Sequence, residues 1–314
     1  MLTHLLILLV SFVTIWVSAG LVVDSVASMS RRMNLTAFSF SFFFLGLFTS
    51  ITELTIGLNA VNQGVPTIFI GNLLGATVVL FGLVLPLLAL LTGGIRFKKE
   101  LSPVQLGLTL LYICLPAIVV VNGQVSLAEA VLLVVGYPLI WLLIKVRKQS
   151  VLLTMYERMQ HSVFSLPNKG WTLIAGVILL IGASHLLVEQ TVWLAGTFHT
   201  TPFLVSLLLL SIGSNVPEIV VAFQAVMHKK TDVAYGSYLG SAVANAFFFG
   251  LLTLVYNQTI YIENGLLLLL PVMILMIVLF FFFLRSEKGL SRVEGVTLLL
   301  LYAGYLIGEW LVGR

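Results

Sequence analysis

The 314-residue sequence predicts an all-α integral membrane protein whose ten transmembrane helices form two inverted five-helix repeats. Three observations carry that prediction. The chain is 60% hydrophobic and 9% charged, with mean hydropathy +1.12, whereas soluble domains carry roughly a quarter charged residues. Its Lys and Arg residues fall in alternate loops between apolar runs. Two polar, acidic stretches, ending in Glu53 and Glu218, lie 165 positions apart inside two of those runs.

Ten apolar segments are long enough to cross a hydrocarbon core of about 30 Å: roughly 2–23, 36–62, 66–91, 104–121, 126–144, 171–194, 201–226, 233–256, 261–284 and 293–312. No strand-length alternation of polar and apolar residues points to a closed barrel. The first segment lacks a basic leader, and Arg31 and Arg32 follow it, so it reads as a retained span rather than a signal peptide. The remaining basic residues test the count. Arg96, Lys98 and Lys99 lie between spans three and four; Lys145, Arg147, Lys148, Arg158 and Lys169 between five and six; Lys229 and Lys230 between seven and eight; Arg285, Lys288 and Arg292 between nine and ten. Even-numbered loops hold neither Lys nor Arg. The positive-inside rule then places every odd loop in the cytoplasm and both termini outside. The net charge of +4 thus reports membrane topology and no nucleic-acid partner. Cys114 is the single cysteine, which excludes a disulfide framework and a cysteine metal site. The expected setting is a plasma membrane, prokaryotic inner membrane by preference, with the lipid bilayer and cations as partners and no cofactor.

The long connection near 146–170 divides the chain into a first repeat, 1–145, and a second, 171–314. At an offset of 165, Val23 meets Val188, Asp24 meets Glu189, Phe38 meets Phe203 and Ser41 meets Ser206. Beyond the glutamates, Gly71 meets Gly236, Leu74 meets Leu239, Gly75 meets Gly240 and Val78 meets Val243. Five spans per unit force the second to enter from the opposite face. Inverted repeats of this kind are frequent in secondary transporters, with the site near the midplane at the repeat interface.

An ionisable residue in the hydrocarbon region is costly and by default functional. Spans seven and eight read as a hairpin that turns near Lys229 to Asp232, midway between Glu218 and Asn245. Thirteen residues at ~1.5 Å each place both about 20 Å from the turn, at mid-bilayer. Ser241 shares a helix face with Asn245, four residues on. A carboxylate, a hydroxyl, an amide oxygen and carbonyls freed by Pro217 suit a hard-oxygen cation site. The first hairpin turns near Gly64 to Pro66, midway between Glu53 and Leu80. Ser241 is open to either ligation or helix packing. Asp24 and Glu189 are open to an interfacial role or an ion access route. Gly71, Gly75, Gly236 and Gly240 read as packing glycines, Asn72 and Ser237 as helix contacts, and Asn215 as a partner for broken-helix backbone. His185 reads as a satisfied or cavity-facing residue.

The stretches Ser214-Asn215-Val216-Pro217-Glu218 and Gly240-Ser241-Ala242-Val243-Ala244-Asn245 resemble one α-repeat of the sodium/calcium exchanger family, within the cation/calcium antiporter superfamily. Thr49-Ser50-Ile51-Thr52-Glu53 and Gly71-Asn72-Leu73-Leu74-Gly75-Ala76-Thr77 resemble the other. The resemblance spans roughly 18–90 and 183–255. It implies ion ligands at Thr49, Ser50, Glu53, Ser214, Glu218, Ser241 and Asn245, and rocking of spans one and six against the other eight. The sequence departs from the family pattern at three positions. Ala76 stands where the family has a ligand serine, Leu80 where it has asparagine or aspartate, and Thr52 where it has proline. The first α-repeat is therefore degenerate in oxygens and the second better preserved.

The expected function is secondary antiport of Ca²⁺ against Na⁺ or H⁺ by alternating access, with the ion between Glu53 and Glu218. The alternatives are transport of Mg²⁺, Mn²⁺ or a monovalent cation coupled to protons, or a transport-inactive scaffold. Neither a nucleophile–base arrangement nor an HExxH pair points to an enzyme.

Overall fold

A computed structural model describes residues 2–32, 36–95, 100–145, 168–195, 207, 210–262, 268–285 and 289–312. Among the described residues, the chain forms ten helical rods. The first repeat contributes α1 (Leu2–Arg32), α2 (Ala37–Asn62), α3 (Thr67–Thr92), α4 (Pro103–Asn122) and α5 (Leu127–Lys145). The second contributes α6 (Asn168–Ala195), α7 (Ser211–Ser214 and Val216–Met227), α8 (Thr231–Tyr256), α9 (Leu269–Arg285) and α10 (Arg292–Val312). These rods match the ten predicted spans one for one. Six of them are long and apolar enough to span a membrane as described; the apolar stretches of α6, α7 and α9 are shorter. Most of the predicted connecting segment, 146–167, lies outside the described residues, as do Arg96, Lys98, Lys99, Arg147, Lys148, Arg158, Lys288, Phe203 and Ser206.

Loop pairings support the predicted alternation. Strands β1 (Gln124–Val125) and β2 (Ile260–Tyr261) pair antiparallel, joining the fourth loop to the eighth. A single bridge between Ile95 and Leu290 joins the third loop to the ninth. Lys230 Nζ donates to Asp24 Oδ1 at 2.5 Å, tying α1 to the seventh loop. Both backbone links join loops of equal parity, as loops on one side of a membrane must be. Asp24 is thus salt-bridged, and the side chain of its repeat-mate Glu189 lies outside what is described.

The repeat continues past the range that the sequence alone displayed. The pair Ile95–Leu290 becomes Ile260–Val125 when each number is shifted by 165, so one link recurs on opposite sides of the bundle. Helix starts follow the same rule. Ser126 and Glu129 close a reciprocal cap on α5, with Glu129 Oε2 accepting from the Ser126 amide at 2.8 Å. Ser291 and Glu294 do the same on α10 at 2.7 Å. Such capping boxes satisfy otherwise orphaned helix-end donors and contribute ~1 kcal/mol each. The two hairpin turns are also copies. Gly64 and Lys229 both take positive φ, 71° and 57°. Val65 N to Ala60 O and Gly64 N to Val61 O recur as Lys230 N to Ala225 O and Lys229 N to Val226 O. This is the Schellman arrangement, which favours glycine because a side chain at positive φ crowds the following carbonyl. Lysine occupies it in the second hairpin nonetheless.

Candidate functional site

Each acidic stretch sits at a helix break. Ser50 (φ −80°, ψ 7°) interrupts α2, and Asn215 (φ −85°, ψ 3°) interrupts α7. Twelve-residue helices follow both breaks, Ile51–Asn62 and Val216–Met227, after four-residue pieces Gly46–Thr49 and Ser211–Ser214. Upstream, Phe42 and Leu45 lie in a π-helical segment, and so do their repeat-mates Leu207 and Leu210. The break places Glu53 and Glu218 in the first turn of a new helix, where the dipole favours negative charge. Pro217 cannot donate to the preceding turn, which rationalises the break in α7. Thr52 occupies the same position in α2 and the break is equal, so proline is not required for it. Thr52 Oγ1 instead donates back to Thr49 O at 3.2 Å. Asn215 Nδ2 donates to Ser211 O at 2.7 Å, the backbone role expected of it.

Glycines let the two repeats interlock. A Cβ on Gly240 would strike the carbonyl of Phe42, and one on Gly75 would strike the carbonyl of Leu207, the repeat-mate of Phe42. Gly46 abuts Gly240 in the same crossing, and Gly236 lies against Phe38 and Ser41. Thus α8 of the second repeat crosses α2 of the first, and α3 crosses α7. The packing role predicted for Gly75, Gly236 and Gly240 follows from backbone approaching backbone.

These crossings bring together side chains that are distant in sequence. Thr49 Oγ1 and Ser241 Oγ are 3.0 Å apart, and Ser241 also donates to Gly46 O at 3.3 Å. Both hydroxyls face the Glu218 carboxyl. The Ser214 hydroxyl faces the Glu53 carboxyl and donates to Asn72 Oδ1 at 3.4 Å. The two carboxyl groups are close enough to interact electrostatically. Glu53 and Glu218 are 1% and 3% exposed. None of their four carboxylate oxygens has a hydrogen-bond partner, the facing hydroxyls being oriented elsewhere. Among the described residues neither has a salt bridge, and no third Asp, Glu, His or Cys gathers with them as a metal-binding group.

Five of the seven predicted ligand residues therefore converge: Thr49, Glu53, Ser214, Glu218 and Ser241. Ser50 and Asn245 are buried, with Ser50 Oγ and Asn245 Oδ1 unpartnered, Ser50 beside Thr49 at the break in α2 and Asn245 one turn after Ser241 on α8. Ala76 and Leu80 are fully buried without an oxygen to offer. Leu80 also begins a π-helical turn, Leu80–Val84, whereas its repeat-mate Asn245 lies in the unbroken helix of α8. Asn72, read from sequence as a helix contact, joins the cluster through Ser214. Its signal was present in the Gly71-Asn72 motif, but only the crossing of α3 with α7 reveals the partner. His185 is exposed on α6.

The sodium/calcium exchanger protein family matches this chain over residues 3–146 and 169–311. CaxA of Alkalimonas amylolytica, a protein provisionally named an antiporter, is 25% identical over 325 residues, covering 97% of this chain and 98% of its own. The sodium/calcium exchanger MaX1 of Methanosarcina acetivorans is 25% identical over 130 residues, 41% of this chain and 37% of its own. A solved structure of the sodium-calcium exchanger NCX_Mj shares the fold with TM-score 0.78, covering 98% of both chains at 20% identity. With both repeats matched and ten helices arranged as in a solved exchanger, the chain belongs to the sodium/calcium exchanger family, multi-pass membrane antiporters of cations rather than enzymes.

Proposed function

We propose that this protein exchanges Ca²⁺ for Na⁺ or H⁺ by alternating access, with the cation held between Glu53 and Glu218. One observation carries the reading: two carboxylates buried in the bundle, contributed by opposite repeats, with all four oxygens lacking hydrogen-bond partners. Burying one charge at a membrane helix centre costs ~3 kcal/mol on insertion scales. Two such groups beside each other need neutralisation by a cation or by protons. The surrounding hydroxyl and amide oxygens of Thr49, Ser214, Ser241 and Asn245, with Ser50, are hard ligands of the kind calcium prefers. Two negative charges match one divalent ion, or two protons or sodium ions on the return step.

Helices α1 and α6 support a two-body motion. They pack along each other, with Gly176 against Ser18 O and Val22. Odd loops in the cytoplasm, both termini outside and a plasma-membrane setting complete the reading, with repeats at 1–145 and 171–314 around a cytoplasmic connection.

A second reading is proton-coupled transport of Mg²⁺, Mn²⁺ or a monovalent cation. The oxygen-free positions Ala76 and Leu80 favour it, because they leave fewer ligands than separate sodium and calcium sites require. Proteoliposomes test both. Ca²⁺ uptake should follow an imposed Na⁺ or H⁺ gradient and fall to background in Glu218→Gln and in Glu53→Gln. Uptake that persists in Glu218→Gln would overturn the proposed site. Flux of another ion in place of Ca²⁺ would select the second reading, and no cation flux at all would mark a scaffold.

A further inference from the structure

We infer that Asn72 is a specificity-determining ligand residue, whose amide oxygen replaces the hydroxyl absent at Ala76, one helical turn away. This rests on the Glu53/Glu218 site proposed above. The two halves of the site make the substitution visible. In the second half, Glu218 faces Thr49 and Ser241, and those two hydroxyls are 3.0 Å apart. Subtracting 165 from Glu218 and Ser241, and adding it to Thr49, converts that trio into Glu53, Ser214 and Ala76. Alanine has nothing for Ser214 to meet. The Ser214 hydroxyl instead lies 3.4 Å from both Asn72 Oδ1 and Ser211 O while facing Glu53. Asn72 lies four residues before Ala76 on the same face of α3.

The chemistry of Asn72 fits a ligand better than a packing residue. Its side chain is fully buried, and Nδ2 has no hydrogen-bond partner. An amide kept only for helix contact would be expected to satisfy both ends, because an unmade hydrogen bond costs ~1–3 kcal/mol in a buried setting. The 3.4 Å contact is long, so little is lost when Oδ1 turns to a cation. Moving the oxygen four residues along α3 shifts that ligand by ~6 Å along the helix axis relative to a serine at 76. The first half-site then presents a neutral amide oxygen at a different depth from the hydroxyl of the second. Such a change alters which cation the two halves can share, while leaving the carboxylate pair intact.

Direct Ca²⁺ binding to the detergent-purified full chain, read by titration calorimetry, tests the assignment. Wild type should bind and Glu53→Gln should not. Wild type that fails to bind Ca²⁺ overturns the calcium site itself, and this inference with it. Given wild-type binding, Asn72→Ala should weaken affinity about tenfold, the loss of one good ligand. Adding Ala76→Ser in that background should restore most of it. Binding by Asn72→Ala equal to wild type, or a loss that Ala76→Ser does not recover, would show a purely structural asparagine. Should Asn72→Ala not purify as a single species, Asn72→Asp replaces it: same shape, added charge. Tighter Ca²⁺ binding supports a ligand role, and unchanged or weaker binding overturns it.

Discussion

The two half-sites share a backbone almost residue for residue and differ in chemistry. Breaks at Ser50 and Asn215 have nearly the same dihedrals, and equal helices follow them. Hairpin turns repeat down to two hydrogen bonds and a positive φ. Against that constancy, the second half keeps Ser241 and Asn245 on α8, while the first has Ala76 and Leu80 on α3 and draws Ser214 toward Asn72. The helix crossing also differs slightly. Gly46 abuts Gly240, but the repeat-mate of Gly46 is Ser211, which sits against Gly75. The difference teaches that the scaffold and the ligands answer to separate constraints. Crossings require small residues and a broken helix whatever ion is bound, whereas ligands can move by a turn without disturbing either.

Three substitutions would break or sharpen that comparison. The largest effect is expected at the crossing. Gly240→Ala forces a methyl into the Phe42 carbonyl, a backbone atom that cannot swing aside, and overpacking of this kind costs ~1–3 kcal/mol or more. A thermal melt in detergent should drop sharply and gradient-driven uptake with it. Gly20→Ala, which meets nothing within 4 Å, is the control and should be neutral or slightly stabilising. Equal melts for the two would mean that α8 does not cross α2 at that point.

An intermediate effect is expected at Leu80. Leu80→Asn returns an oxygen to the repeat-mate of Asn245, and competition between cations should shift by about fivefold, near the value of one hydrogen bond. Unchanged selectivity and coupling ratio would place this position outside the ion path. The π-helical turn that starts there has no counterpart at its mate on α8, which offers a physical reason for such an outcome.

The smallest effect is expected at Pro217. Thr52 sustains an equal break without proline, so Pro217→Thr should leave transport within about threefold of wild type, under 1 kcal/mol of barrier. A loss comparable to that of Glu218→Gln would mean that the two breaks are held by different forces.

Much of the fold was legible in the sequence because membrane insertion is governed by local quantities. Apolar length sets each span, basic residues set the alternation of loops, and a carboxylate in hydrocarbon stands out against its surroundings. The capping boxes Ser126–Glu129 and Ser291–Glu294, which the structure shows at the same offset, extend the repeat beyond the central helices. Asp24 was left open because its partner, Lys230, is 206 residues away.

The sequence by itself thus determined the ten spans, the inverted order of the repeats, the matched glutamates and the loss of oxygens at Ala76 and Leu80. Only the tertiary structure decided which hydroxyl meets which carboxylate. Thr49 belongs to the first repeat by sequence but faces Glu218 of the second, and Ser214 of the second faces Glu53 of the first. The physical reason is the glycine-lined crossing of α2 with α8 and of α3 with α7, which exchanges partners between repeats. Hydropathy and charge act along one helix at a time. The place where two helices touch depends on backbone shape, and it is there that Asn72 acquires its neighbour.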